Sequence, residues 1–135
     1  LINLDIERAM IVHSNDGLDE ISVFDSTNIL EINGKTILEY NLDPNDYFSC
    51  NYSMTDIIVD NKDESLNFLY SVINNDNGPA KDISLLNAAA LLYISGKSKT
   101  IADAIKLCED AIKSGKVSDK LKDLIKYTNT LKHAW

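Results

Sequence analysis

Residues 9–22 read AMIVHSNDGLDEIS, and this stretch is the most informative part of the chain. Its unbroken apolar start, residues 9–12, is typical of a strand that is covered on both faces and ends at His13. Two adjacent carboxylates, Asp19 and Glu20, follow the carboxyl end of that strand. Ligands of open α/β sheets bind at these ends, so the order of the residues favours a ligand site here.

The acidic pair is of the residue type that magnesium ions prefer. Mg²⁺ takes oxygen ligands, usually one or two carboxylates together with substrate phosphates. A loop containing Gly17 can turn Asp19 and Glu20 toward one ion, whereas neighbouring side chains diverge on a regular strand. On spacing alone, adjacent acids in a loop are more often solvated surface charge. Asp16, three residues before the pair, is a weaker candidate for a metal ligand, because its position is more typical of a residue that forms a turn.

Three stretches of the chain resemble one enzyme family. Residues 7–22 are similar to the strand and loop of anthranilate phosphoribosyltransferases that carry the metal-binding Asp-Glu pair. Residues 77–97, with a Gly-Pro loop and the run Leu-Leu-Asn-Ala-Ala, are similar to a helix near the C-terminus of those enzymes. Residues 43–47 also match, and the stretches come in the family's order. The resemblance covers nearly the whole chain but only the C-terminal part of the family's longer sequence.

The resemblance implies an activity, a cofactor and substrates. This family transfers a phosphoribosyl group from phosphoribosyl pyrophosphate (PRPP) to anthranilate in tryptophan biosynthesis. By resemblance, Asp19 and Glu20 hold Mg²⁺, and the metal holds the pyrophosphate. The family's Gly-Thr-Gly-Gly-Asp phosphate loop does not occur in this sequence, nor does the N-terminal helical domain through which such enzymes dimerise. We therefore expect the parent enzyme to be a homodimer and the isolated chain to be inactive.

The sequence leaves the roles of two polar residues undecided and allows two other functions. His13 either bonds the neighbouring loop or lines the pyrophosphate cavity. Asn87 either fixes a helix against a strand or contacts the active-site loops, so both residues are candidates for substrate binding. A pyrimidine nucleoside phosphorylase, which resembles this family in fold, uses phosphate as the nucleophile and needs no metal pair. The alternative that is not an enzyme is a non-catalytic remnant that packs against a partner chain.

The composition disfavours several classes of protein. The 135 residues carry a net charge of −8, and nucleic acids and anionic membranes both repel an acidic surface. Cys50 and Cys108 are too few and too far apart for a disulfide framework or a zinc motif. With no apolar run long enough to span a membrane, we expect a cytoplasmic protein. Because the sequence begins with Leu1 rather than Met, we interpret it as a segment of a longer protein.

Local patterns predict strands in the first part of the chain. Ile21 and Val23 alternate with a polar serine, which indicates a short strand. Residues 29–32 and 36–40 flank an Asn-Gly pair at positions 33–34. Asn and Gly tolerate the positive φ angles of a type I′ turn, so this stretch predicts a β-hairpin.

Helical periodicity begins near residue 61. An Asn-x-x-Glu cap signal at residues 61–64 precedes the first helix, and Gly96 ends the apolar second helix, which we expect to be central. Gly115 ends the third helix, and Ser118 caps the fourth. The apolar stripes of the first, third and fourth helices are predicted to face inward. They comprise Leu66, Leu69, Tyr70 and Ile73, then Ile101, Ala104, Ile105, Cys108, Ala111 and Ile112, then Leu121, Leu124, Ile125 and Leu131.

Together these elements predict one unit of α/β class. A chain of this length is one domain by size. We expect residues 1–135 to be a single fragment, with the strands and hairpin in residues 1–42 and the helices in residues 61–133. The local patterns predict a β-hairpin followed by four covering helices, and the family resemblance implies that these form the C-terminal portion of a mostly parallel sheet domain.

Overall fold

In the computed structural model, which describes residues 1–131, three strands are followed by four helices. The α/β class and the hairpin followed by four helices are confirmed, while residues 132–133 of the predicted helical range lie outside the described residues. Short 3₁₀ helices span Ile2–Leu4, Pro44–Asp46 and Met54–Ile57. The strands are β1 (Arg8–Ser14), β2 (Thr27–Asn33) and β3 (Thr36–Leu42), and the helices are α1 (Lys62–Ile73), α2 (Pro79–Ile94), α3 (Ile101–Lys113) and α4 (Lys116–Leu131).

The sheet has the order β1-β2-β3, and both pairings are antiparallel. No parallel pairing occurs among the described strands, so the parallel part of the expected sheet is not represented in residues 1–131. Met10 and Val12, on one face of β1, pack against the hydrophobic core. Ile11, on the other face, is 51 % exposed. The expectation that β1 is covered on both faces is therefore wrong for this part of the chain.

The predicted β-hairpin is confirmed, but its turn differs from the expectation. Asn33 pairs with Thr36 across the two strands, so Gly34 and Lys35 form the loop. Gly34 has a φ of +60°, whereas Lys35 is not among the described residues with positive φ. A type I′ turn needs positive φ at both loop residues, while glycine at the first loop position is typical of type II′. The turn therefore has the type II′ arrangement, and Asn33 belongs to the strand.

The prediction of a strand at residues 21–23 is wrong. Ile21, Ser22 and Val23 are all at most 1 % exposed, and they form irregular backbone and bends rather than an alternating strand. Their backbone groups bond to side chains: the Ser22 N–H donates to Thr27 Oγ1 at 3.2 Å. A pattern of alternating apolar and polar residues does not distinguish such side-chain bonding from the ladder of a sheet.

Helix α2 is the central helix, as its apolar sequence predicted. Pro79 occupies its first turn, where the missing N–H removes no helical hydrogen bond. Leu85, Leu86 and Ala89 are at most 2 % exposed, and the helix packs against α1, α3 and β1. With buried residues of the sheet and of α3 it forms one hydrophobic core. Although α2 is apolar, neither it nor any other helix within residues 1–131 is long and apolar enough to cross a membrane.

Helices α1 and α4 differ from the prediction that their apolar stripes face inward. A periodic stripe predicts a face that needs a partner, but it does not supply one. Among the described residues α1 packs mainly on α2, and α4 packs mainly on α3. Much of each stripe is therefore exposed, at Leu66, Leu69, Tyr70, Leu124, Ile125 and Leu131. The stripe of α3 lies between α2 and α4, and four of its residues are buried as predicted.

The start of α4 also differs from the prediction. The helix begins at Lys116, so the predicted cap, Ser118, lies inside it. Gly115 has a φ of +78° and ends α3, as predicted. The Gly115 carbonyl also accepts the Asp119 N–H at 3.0 Å, so the same glycine begins α4. The cap signal of α1 is confirmed, because the Asn61 side chain accepts a backbone N–H of the first turn.

Candidate functional site

The carboxyl end of β1 leads into residues 15–26, named here the acidic loop, which connect β1 to β2. A backbone hydrogen bond tightens its start: the Ser14 N–H donates to the Leu18 carbonyl at 3.1 Å. Gly17 lies inside this turn with a φ of +95°, a conformation that residues with a Cβ rarely adopt. The tight turn therefore depends on glycine at this position.

Asp16 is the turn former of the acidic loop. Its carboxylate accepts hydrogen bonds from the Leu18 N–H, at 3.0 Å, and from the Ser22 hydroxyl. The pKa of the Asp16 carboxyl is lowered: burial raises it, but the hydrogen bonds from Ser22 and Leu18 outweigh the effect of burial. Both carboxylate oxygens are therefore bonded within the loop, which suits a turn former better than a metal ligand.

Asn87 of α2 holds the other end of the same segment. Its Oδ1 accepts the Ile21 N–H at 3.0 Å, and its Nδ2 donates to the Ile21 carbonyl at 2.8 Å. The Nδ2 also donates to the Ile83 carbonyl at 2.9 Å. The side-chain amide thus pairs with both backbone groups of Ile21, as a neighbouring strand does in a sheet. Asn87 therefore contacts the loop after β1, while direct contact between Asn87 and a substrate stays a prediction.

Asp19 and Glu20 lie between these two anchors, and both side chains are exposed. Neither carboxylate takes part in an ion pair within residues 1–131. Burial and the adjacent charge of Asp19 raise the pKa of the Glu20 carboxyl. A cation bound by both groups would offset this repulsion, because an opposite charge favours the ionised form of a carboxyl group.

Glu20 also lines an apolar cavity of about 260 Å³ between α1 and α2. The cavity walls include Phe68 and Val72 of α1 and Ile83 of α2. Partial burial of the carboxyl group is the larger cause of its raised pKa. Asp19 does not line this cavity, so the two adjacent carboxylates have different surroundings.

His13 lies on the other face of the sheet. The register pairs His13 with Asn28, and both side chains are exposed. Because alternate residues of a strand face opposite sides, Val12 points to the core beneath the sheet and His13 points away from it. The structure therefore brings Asn87, and not His13, to the segment that carries the acidic pair. A role for His13 in substrate binding stays a prediction.

The sequence patterns did not lead us to predict a buried ionic cluster around Glu31. Glu31 is 3 % exposed, and its carboxylate accepts the hydroxyl groups of Tyr40 at 3.1 Å and Tyr93 at 2.8 Å. The Arg8 guanidinium lies 3.9 Å from the same carboxylate. The hydrogen bond to Glu31 and burial raise the pKa of Tyr93. The strand period of two was the available signal, because it places Glu31 on the inward face with Ile29. The cluster joins all three strands to α2, which is a structural role.

Comparison with known proteins agrees with the resemblance seen in the motifs. Residues 1–118 match the sequence profile of the family described as glycosyl transferase family, a/b domain. The anthranilate phosphoribosyltransferase of Nitrosomonas eutropha is 38 % identical over 133 residues, which cover 98 % of this chain and 39 % of that protein. The anthranilate phosphoribosyltransferase of Acetivibrio thermocellus is 37 % identical over 130 residues, which cover 96 % of this chain and 38 % of that protein.

Solved structures agree on the fold. The anthranilate phosphoribosyltransferase of Saccharomyces cerevisiae, in complex with PRPP and Mg, matches with a TM-score of 0.79 at 23 % identity, over 92 % of this chain and 36 % of that chain. At this identity the likeness shows the fold alone. The chain spans less than two fifths of the length of these relatives. The match over residues 1–118 shows that the chain belongs to the glycosyl transferase family, as part of its α/β domain.

Proposed function

We propose that the chain is the C-terminal part of the catalytic domain of an anthranilate phosphoribosyltransferase and supplies Asp19 and Glu20 to a magnesium–pyrophosphate site. The geometry of the acidic loop carries this proposal. Side chains fix the loop on both sides of the pair, and the two carboxylates are exposed past the carboxyl end of β1. The 38 % identity over 133 residues to a relative of that name supports the same assignment.

The donor set of the acidic loop suits Mg²⁺. The carboxylates of Asp19 and Glu20 are oxygen ligands, and no group of three or more His, Cys, Asp or Glu side chains within residues 1–131 is arranged to hold a metal ion. Mg²⁺ held by one or two carboxylates keeps its remaining positions for water and phosphate oxygens. An acidic pair therefore suits a metal that the protein shares with pyrophosphate. The yeast protein of the same fold was solved in complex with PRPP and Mg.

In the proposed reaction, this part of the chain positions the metal and the pyrophosphate and does not transfer a proton. When bound, the metal stabilises the negative charge that develops on the departing pyrophosphate. The acidic loop holds Asp19 and Glu20 at fixed positions, so the leaving group is bound in one orientation. Neither carboxylate has to accept a proton to activate the nucleophile, because the amine of anthranilate is already nucleophilic. The contribution of the loop is therefore electrostatic stabilisation at a preorganised site.

The isolated chain is expected to be inactive. It spans 39 % of the length of the Nitrosomonas eutropha relative, and no Gly-Thr-Gly-Gly-Asp phosphate loop occurs in its sequence. The remaining contacts to PRPP and anthranilate, and the homodimer interface, then belong to other segments of the parent enzyme. Phosphoribosylation of anthranilate by the purified chain, lost on Asp19→Asn, would show this expectation to be wrong.

A second candidate function is packing against a partner chain without catalysis. Leu91 is 72 % exposed and lines an apolar cavity of about 380 Å³ between β1 and α2. Exposed apolar surface of this kind marks sites where another part of a protein packs. The enzyme assignment also requires such packing by other segments of the parent, so an activity measurement has to separate the two functions.

A chimeric enzyme tests the proposal. In it, this chain replaces the matching 133 residues of the Nitrosomonas eutropha relative. We expect the chimera to consume anthranilate in the presence of PRPP and to require Mg²⁺, as followed by the loss of anthranilate fluorescence. A folded but inactive chimera contradicts the enzyme assignment and favours the packing function. Cleavage of pyrimidine nucleosides by phosphate without Mg²⁺ would instead favour a phosphorylase.

A further inference from the structure

We infer that Asn87 is a positioning residue for the acidic pair, which sets the direction of the Asp19 and Glu20 carboxylates through the backbone of Ile21. This inference rests on the proposed function, because it concerns the same metal site. Asn87 acts through the acidic loop and is not assigned a contact with metal or substrate.

The contact between Asn87 and Ile21 fixes an orientation as well as a distance. One side-chain amide accepts the Ile21 N–H at 3.0 Å and donates to the Ile21 carbonyl at 2.8 Å. The N–H of Ile21 belongs to the planar peptide group that also contains the carbonyl of Glu20. By holding this plane, Asn87 fixes the backbone immediately after Glu20.

Two residues remain between side-chain anchors. On the upstream side, the Asp16 carboxylate accepts the Leu18 N–H at 3.0 Å. On the downstream side, Asn87 holds Ile21. Only Asp19 and Glu20 lie between the two held N–H groups. These carboxylates form no ion pair within residues 1–131, so their direction depends on the anchored backbone and, for Glu20, also on the cavity that it lines.

Water is a weaker anchor than Asn87 in this role. Ile21 and Asn87 both line the cavity between β1 and α2, but a water molecule there would not tie the Ile21 N–H and carbonyl to α2 as the side-chain amide does. The support behind Asn87 is rigid as well, because its neighbour Leu86 is fully buried and its third hydrogen bond, to the Ile83 carbonyl, fixes its own side chain. Loss of the amide therefore shifts the loop rather than the helix.

Line broadening by Mn²⁺ tests the inference on the 135-residue chain. Mn²⁺ takes oxygen ligands as Mg²⁺ does, and it broadens the NMR signals of nearby amides. In the wild type we expect broadening centred on Asp19 and Glu20, reversed by excess Mg²⁺. Asn87→Leu nearly conserves the volume of the side chain but removes its hydrogen bonds. For this variant we expect the apparent affinity for Mn²⁺ to fall about tenfold or more.

A control variant separates loss of positioning from loss of stability. Ile112 is buried in α3 and lies outside the acidic loop, so Ile112→Val lowers stability while the Mn²⁺ affinity stays at the wild-type value. Unchanged affinity in Asn87→Leu overturns the inference alone. Absence of local broadening in the wild type overturns the proposed metal site and the inference with it.

Hydrogen exchange of the wild type keeps the inference testable if Asn87→Leu does not fold. The Ile21 amide is buried and bonded to Asn87, whereas Asp19 is exposed in the same loop. We expect the Ile21 amide to exchange far more slowly than the Asp19 amide. Equal exchange rates at the two positions would overturn the inference without any substitution.

Discussion

The acidic loop and helix α4 reverse the usual relation between regular structure and burial. The loop contains no helix or strand, yet Ile21, Ser22 and Val23 within it are at most 1 % exposed. Helix α4 is regular over 16 residues, yet none of its residues is buried. Burial in this fold therefore follows the number of packing partners and not the regularity of the backbone.

Different interactions hold the two regions. In the acidic loop, backbone groups bond to side chains that include one 66 residues away, at Asn87. Helix α4 satisfies its backbone internally, and its surface ion pair between Lys122 and Asp119, at 3.0 Å, joins two exposed side chains. Exposed pairs of this kind contribute little to stability. The loop thus depends on tertiary packing, while α4 depends on local interactions.

The largest expected difference in stability is between truncation of an apolar residue in the acidic loop and truncation of one in α4. Ile21→Ala removes a fully buried side chain, and we expect the free energy of unfolding to fall by about 3 kcal/mol. Leu124→Ala removes a side chain that is 55 % exposed. We expect this change to cost about 0.5 kcal/mol or less. Urea unfolding of both variants checks the comparison, and similar losses at the two sites would contradict it.

Substitution of the turn former, Asp16, is expected to cause a smaller loss of stability. Asp16→Ala removes the acceptor of two hydrogen bonds, and we expect unfolding at neutral pH to require about 2 kcal/mol less. The lowered pKa of Asp16 means that its contribution is present above the ordinary value of 3.8 and is lost as the pH falls through the folded-state value.

Unfolding measured across that acid range sharpens this prediction. The stability of the wild type should fall more steeply below pH 3.8 than that of Asp16→Asn, which has no carboxyl group to titrate at this position. Equal slopes for the two proteins would mean that the hydrogen bonds to Asp16 do not stabilise the folded state.

Ser118 tests the revised start of α4. As a residue inside the helix, it should gain up to about 0.5 kcal/mol of stability on substitution by alanine. A capping serine would instead lose about 1 kcal/mol. Thr100→Ala is the matched control, because the Thr100 hydroxyl caps α3 by accepting the Asp103 N–H at 3.0 Å. Thermal unfolding of the two variants should therefore shift in opposite directions.

The smallest expected effect concerns the acidic pair itself. Burial and the charge of Asp19 raise the pKa of Glu20, so its favourable contribution exists at low pH and is lost as the pH rises through the folded-state pKa. At neutral pH the charged form is a slight cost, and Glu20→Gln should stabilise the chain by about 0.5 kcal/mol or less. Glu39→Gln, on β3, is the same charge change outside the loop. Destabilisation specific to Glu20→Gln would contradict the expectation.

Short-range patterns in the sequence predict most helices and the hairpin well. They do not predict which faces of these elements are buried by other segments. The hairpin and the cap of α1 depend on residues a few positions apart, so short-range patterns predict them. The apolar–polar alternation at residues 21–23 misleads because the Ser22 N–H bonds to the Thr27 side chain rather than to a strand. The stripes of α1 and α4 are apolar as predicted, but periodicity does not tell whether a partner covers them.

The candidate site was predictable only in part. Asp19 and Glu20 are candidates because residues 7–22 resemble the family's metal-binding loop, and their role stays a prediction. A polar residue in an apolar helix, such as Asn87, indicates that a hydrogen-bond partner exists. It does not indicate which one, because the partner is set by packing between distant segments. His13 is close to the loop in sequence, but the alternation of β1 turns it to the opposite face.

We propose that two carboxylates of an anchored loop, Asp19 and Glu20, bind the metal for phosphoribosyl transfer. The most direct measurement is the kcat of the chimeric enzyme carrying Asp19→Asn, compared with Asp25→Asn. Asp25 lies in the same loop, and its side chain accepts the neighbouring Ser26 N–H, which asparagine can also accept. We predict a loss of roughly 100-fold or more for Asp19→Asn and little change for Asp25→Asn. Equal activities of the two variants would contradict a metal-binding role for Asp19.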